Sequence, residues 1–116
     1  MRIAIIDDDI QMYELLKSYF QELIGTSAEL TYFPNGENFL QIWQPGSFEL
    51  IVLDIFMGEL TGIDVAKQIR QTDNEVRLVF ATTSNEFASE SYEVNACNYL
   101  RKPFGKDRVH AILDHI

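Results

Sequence analysis

Five short apolar runs, each followed by an amphipathic stretch, alternate along the whole chain, and that alternation leaves few folds open. The runs are Ile3 to Ile6, Leu30 to Phe33, Phe48 to Asp54, Val76 to Ala81 and Asn98 to Arg101. Each reads as a strand, and the near-continuous apolar third run reads as a central parallel strand covered on both faces. Helical spacing fills the intervals. Met12, Leu15, Leu16, Tyr19, Phe20, Leu23 and Ile24 form one stripe, which Asp9 can cap and Gly25 can end. Phe39, Leu40 and Trp43 mark a short second helix between a Pro34-Asn35-Gly36 turn and Pro45-Gly46. Met57 to Thr61 reads as a loop. Ile63, Val65, Ala66 and Ile69 give a third helix, and Phe87, Ala88, Ser91, Tyr92 and Val94 a fourth. Val109, Ile112 and Leu113 belong to a fifth.

Five strand-then-helix units within 116 residues predict a single α/β domain over residues 1–116. The expected architecture is a flavodoxin-like, doubly wound sheet of five parallel strands with helices on both faces. Right-handed crossovers limit the topology, and the natural order for five strands is 2-1-3-4-5. Ligands in such sheets sit at the carboxyl ends of the strands, near the switch point between the first and third.

Charge narrows the partners. The net charge of −9 repels phosphate backbones, so this domain is not itself expected to bind nucleic acid. No apolar run approaches the length of about 20 residues needed to span a bilayer, and no membrane association is expected. The apolar start of the chain is cut short by Asp7 and reads as a strand, not a signal peptide. The single cysteine, Cys97, excludes an internal disulfide, which agrees with a cytoplasmic setting. With no base nearby in sequence it reads as a packed thiol.

The reactive side chains fall where the fold would put a ligand. Asp7 and Asp8 end the first strand, Asp54 ends the third, Thr82 follows the fourth and Lys102 follows the fifth. An acid after a strand is usually a helix cap, and Asp9 keeps that reading. Five such groups at one edge are a different matter. Three carboxylates and one lysine sum to −3 + 1 = −2, which a divalent cation neutralises. Hard oxygen ligands suit Mg²⁺, which keeps several of its waters and often bridges to phosphate. There is no Cys/His cluster for zinc; His110 and His115, five apart on a helix, read as surface residues. Neither G-x-x-x-x-G-K-[ST] nor G-x-G-x-x-G is present, so phosphoryl chemistry here needs an acid as acceptor, with metal and lysine stabilising charge.

The Asp7-Asp8 pair, Leu53-Asp54, Thr82 and Lys102-Pro103-Phe104 occur in order on the expected elements, and in this the whole chain resembles the response-regulator receiver domains of bacterial two-component systems. Ser91 to Ala96, followed by Tyr99-Leu100-Arg101-Lys102-Pro103, resembles the subgroup joined to LytTR-type DNA-binding domains. The resemblance implies a role for each position. Asp54 takes a phosphoryl group from a sensor histidine kinase. Asp8 and Asp54 ligate Mg²⁺ directly with the backbone carbonyl of Phe56, and Asp7 acts mainly through a metal-bound water. Thr82 hydrogen-bonds the acyl phosphate and Lys102 pairs with it. Tyr99 changes rotamer on activation. A cis bond before Pro103 aims the lysine.

If the Thr82 hydroxyl moves toward the phosphoryl group and Tyr99 turns inward to fill the vacated space, the face expected to change is that of the fourth helix, fifth strand and fifth helix. It carries phosphorylation-dependent homodimer formation and controls a DNA-binding output domain. The fifth-helix pattern runs to Ile116 with no linker after it, which fits either a stand-alone receiver or an output domain outside this chain; the subgroup resemblance alone implies the second. The domain is then no enzyme toward an outside substrate; it catalyses only its own phosphorylation and dephosphorylation. Phe56 and Ser84 stand where side chains can place the hydrolytic water, and neither is suited to it, so slow self-dephosphorylation is expected. Two departures from the family pattern stand out. Thr83 is bulkier than the usual small residue and narrows the entrance, and Gly58-Glu59 replaces Pro-Gly in a loop that becomes looser. An aspartyl-nucleophile phosphohydrolase is the alternative, but it wants D-x-D where Asp54 is followed by Ile55-Phe56. A stand-alone interaction module is the other; it would not need Asp54 and Lys102.

Overall fold

The structure is a computed structural model describing residues 1–84 and 86–114. Strands β1 (Arg2–Ile6), β2 (Glu29–Phe33), β3 (Leu50–Leu53), β4 (Arg77–Thr82) and β5 (Asn98–Arg101) alternate with helices α1 (Ile10–Ile24), α2 (Gly36–Ile42), α3 (Gly62–Thr72), α4 (Ala88–Glu93) and α5 (Lys106–Leu113). All neighbouring strands pair in parallel, in the order β2-β1-β3-β4-β5.

Strand alternation sorts the apolar residues into two cores. Ile3, Ile5, Leu50, Val52, Val79 and Ala81 point to the side covered by Leu16 and Phe20 of α1 and Val109 and Ile112 of α5. Ala4, Ile6, Ile51, Leu53, Leu78 and Phe80 point to the other, where Phe39, Val65, Ile69 and Val94 close the second core. All four residues of β3 are buried, as a strand covered on both faces must be.

The helix ends follow local chemistry. Asp9 caps α1, its side chain accepting the Gln11 amide at 2.9 Å, and Gly25 ends it. Thr61 and Asp64 form a reciprocal capping box at the start of α3. Helix α4 closes differently. Asn95 takes a left-handed conformation, φ 55°, which asparagine tolerates. Its amide donates to Tyr92 and that of Ala96 to Ser91, closing the last turn. The Arg70 guanidinium then donates to the carbonyls of Val94 (2.7 Å), Asn95 (3.1 Å) and Asp73 (3.1 Å), tying this end of α4 to the end of α3.

Some sequence expectations shift. Phe48 leaves the third strand to pack on Phe33 and Phe39. Trp43 caps α2 from outside, and Thr82 is the last residue of β4. Tyr92, expected on the packed face of α4, is 87% exposed; Phe87 and Val94 make the core contacts instead. Cys97 is exposed, so it is not a packed thiol. His110 is exposed beside Asp114. His115 and Ile116 lie outside the described residues.

Gly62 sits where α3 begins beneath the loop after β3. Its amide donates to the Ile55 carbonyl at 2.9 Å, and a Cβ there would overlap the Asp54 carbonyl oxygen. Gly62→Ala should therefore destabilise the domain by about 1–3 kcal/mol, the usual consequence of overpacking. Urea unfolding checks this; a stability equal to wild type would show that the Asp54 backbone yields without strain.

Candidate functional site

The sheet delivers Asp7, Asp54 and Lys102 one residue past the strand ends, and backbone bonds continue the ladder to hold them there. The Asp7 amide donates to Phe33 (3.1 Å), the Asp54 amide to Ile6 (2.9 Å) and the Lys102 amide to Thr82 (2.7 Å). These residues therefore share the rigidity of the strands, not the mobility of loops.

The side chains converge. Lys102 Nζ lies 2.7 Å from Asp7 Oδ2 and 3.6 Å from Asp54 Oδ2. The other Asp7 oxygen, Oδ1, accepts the Asp9 amide at 2.9 Å, and Asp54 Oδ1 accepts the Phe56 amide at 3.4 Å. Oxygens of Asp7, Asp8 and Asp54 all lie within 4.8 Å of one another. Asp7 and Asp54 are buried and Asp8 is exposed, so the cluster opens to solvent on one side. The Lys102–Pro103 peptide bond is cis.

Burial and charge pull these groups in opposite directions. Desolvation pushes the Asp54 carboxyl up to about 6; Lys102 opposes that rise and the Asp7 charge adds to it. Asp7 is also raised by burial, against the pull of its Lys102 hydrogen bond. Tyr32, whose hydroxyl donates to the Asp7 carbonyl at 2.7 Å, is raised by burial and by the neighbouring acids, and so stays a donor.

A cation of small radius fits this donor set. Three hard carboxylate oxygens stand close enough to share an ion, and clustering them without one leaves repulsion only partly relieved by a single ammonium. The Thr82 hydroxyl oxygen is fully buried on the strand beside Asp54 and has no partner among the described residues. A buried hydroxyl without a partner is uncommon and points to a ligand that completes it.

The remaining sequence candidates fall around this centre. Tyr99 packs its ring near Phe80, 6.4 Å between centroids, and its hydroxyl donates to the Ser84 carbonyl in the loop before α4. The ring already lies against the core in this structure. Phe56 is half exposed and meets Phe87 edge-on at 5.3 Å. Ser84 Oγ accepts the Glu86 amide, 3.0 Å away. Thr83 is exposed, and Gly58 takes φ 102°, a conformation that suits glycine where the family pattern has proline. Sequence reasoning missed the Tyr32 tie and the Phe56–Phe87 contact; both cross between elements and leave no local spacing signal.

The family model described as response regulator receiver domain matches residues 3–114. The chain is 33% identical over 115 residues to the sensory transduction protein LytT of Oceanobacillus iheyensis, covering 95% of this chain and 45% of that protein. Relatives of the LytR and LytT type are consistent with the LytTR-associated subgroup, and the chain spans about half the length of the curated relatives it matches. Among solved structures, it is similar to the response regulatory domain of MrkE from Klebsiella pneumoniae, with a TM-score of 0.89, 27% identity and coverage of 99% of this chain and 93% of that one. It is also similar to the response regulator TrrA of Thermotoga maritima, solved in complex with Mg²⁺-BeF, with a TM-score of 0.84, 29% identity and coverage of 98% and 96%.

The raised Asp54 carboxyl carries a pH signature. Its folded value, about 6, exceeds the ordinary 3.8, so the folded state holds this proton more tightly than the unfolded state. Stability from that proton is present at low pH and is lost as pH rises through about 6. In metal-free buffer, Asp54→Asn should thus be more stable than wild type above that pH, and the gap should close as pH falls toward the ordinary carboxylate range. Chemical denaturation across that window checks it. A gap independent of pH would mean that Asp54 ionisation does not strain the fold.

Proposed function

Because the chain belongs to the response regulator receiver domain family, we propose that it works as a phosphoacceptor switch in which Asp54 accepts a phosphoryl group from the phosphohistidine of a sensor histidine kinase. The observation that carries this reading is the buried, partnerless Thr82 hydroxyl at the end of the strand next to that of Asp54, whose buried carboxylate has an ammonium at 3.6 Å. That set lacks one thing, a tetrahedral anion with several acceptor oxygens.

In the transfer, an Asp54 carboxylate oxygen attacks phosphorus. A P–O bond forms as the P–N bond to the kinase imidazole breaks, and the leaving nitrogen keeps the electron pair. Lys102 stands 3.6 Å from Asp54 and can answer the added charge. Thr82 can donate its hydroxyl to a phosphoryl oxygen. Asp8, Asp54 and the Phe56 carbonyl would hold Mg²⁺ directly and Asp7 through water; the ion neutralises charge on the phosphoryl oxygens when bound. Asp7 already has both oxygens occupied, by Lys102 and the Asp9 amide, which supports its indirect part.

Readout runs through Tyr99 and the face of α4, β5 and α5. Phosphorylation adds roughly −1.5 to −2 charge and acceptor oxygens that Thr82 must turn to meet. Tyr99 is joined to the loop that follows Thr82, so a shift there reaches α4. Tyr92 of α4 is largely exposed. The face pairs two copies on phosphorylation, and the full-length protein uses that pairing, in the cytoplasm, to align DNA-binding output domains. Among the described residues no helix is long and apolar enough to cross a membrane.

Two measurements test this. Incubation with acetyl phosphate and Mg²⁺ should add one base-labile phosphoryl mass, which Asp54→Asn abolishes and chelation of Mg²⁺ suppresses. A mass gain that survives in Asp54→Asn would place the acceptor elsewhere. In sedimentation, the domain treated with beryllofluoride and Mg²⁺ should self-associate, and Tyr99→Ala should not. A wild type that stays monomeric at high concentration removes the readout while leaving the phosphoacceptor intact.

A further inference from the structure

The Asp7–Asp8 peptide lies just beyond the last rung of the β1–β2 ladder. The Asp7 amide is secured by Phe33, but β2 leaves the sheet at Pro34 to enter α2 at its cap, Asn35. The Asp7 carbonyl has therefore lost its next strand partner. The Tyr32 hydroxyl replaces it, donating at 2.7 Å from 25 residues away.

The Tyr32 ring is itself held. It packs on Tyr13 of α1, with ring centroids 4.8 Å apart, and the Lys17 ammonium lies over the Tyr13 ring, 5.9 Å from its centroid. So a side chain from β2, steadied by α1, fixes the plane of the peptide that joins the two acids. Asp7 has further anchors in Lys102 and the Asp9 amide. Asp8 is exposed, and its direction depends on the backbone that Tyr32 holds.

We propose that Tyr32 is a positioning residue for the acidic pair, its hydroxyl locking the Asp7–Asp8 peptide so that the Asp8 carboxylate is preset for a divalent cation. The inference rests on the Mg²⁺ reading above. Preorganisation acts on affinity: without the hydroxyl the peptide samples other orientations, and the ion must select the competent one.

The test is calorimetric titration with MgCl₂ alone of wild type, Asp8→Ala, Tyr32→Phe and Leu30→Ala. Tyr32→Phe keeps the ring on Tyr13 and removes only the hydroxyl. Leu30→Ala weakens the packing of the same strand without touching the tie, and so reports what general loosening of β2 does. Wild type should bind, Asp8→Ala should not, and Tyr32→Phe should bind about threefold to tenfold more weakly, the equilibrium effect of one hydrogen bond. Leu30→Ala should match wild type in Mg²⁺ affinity despite a lower melting temperature. Equal affinity in Tyr32→Phe and wild type overturns the proposal, as does an equal loss in Leu30→Ala. If wild type itself takes up no Mg²⁺, the metal reading fails and this one with it.

Discussion

Two buried carboxylates share one ammonium at the end of the sheet, and most of what the domain does follows from that imbalance. Asp7 and Asp54 are both withdrawn from water, and Lys102 reaches both, more closely Asp7. One cation cannot offset the desolvation of two anions, and the raised Asp54 carboxyl records the shortfall. The site is thus held in a state that a further cation improves. A phosphoryl group alone would deepen the excess of negative charge, and a divalent cation would relieve it.

Such crowding persists only because the surrounding structure does not yield. The backbones that carry the acids cannot separate without breaking the hydrogen bonds that extend the ladder through Asp7 and Asp54. Those bonds stand on β1 and β3, whose residues are almost wholly buried between the two cores. The apolar sheet and the polar site are therefore one arrangement: packing on both faces makes the edge stiff enough to keep like charges within reach of each other.

Much of this was legible in the residues alone. Short apolar runs and helical spacing are local properties, and from them followed five strands, five helices and an edge where the reactive side chains were expected; β5 was read with the limits it has in the structure. What escaped depends on where one element lies against another. Tyr32 reads as an ordinary strand aromatic until the register sets it beside Ile5, two residues along the strand direction from Asp7. Tyr92 fits a helical apolar face, but α4 has only six residues and buries itself through its two ends. Cys97 follows a closed helix end and precedes an edge strand, which leaves little to cover it.

The Arg70 clamp gives α4 an unequal pair of ends. Three carbonyls at its finish and that of α3 are gathered by one guanidinium, whereas its start is joined to the site through Tyr99 and to the acceptor loop through Phe87. The finish is tied through three charge-assisted hydrogen bonds and the start by one hydrogen bond and aromatic packing, so a displacement at the start would tilt the helix about its finish. Six residues at about 1.5 Å each make a lever of about 9 Å, so a displacement of about 1 Å at the free end becomes a rotation of about 6°. The fulcrum of such a tilt would lie at the end of α3, where Arg70 gathers the carbonyls. The angle of this short helix, more than any change in its position, is what a partner resting on that face would feel.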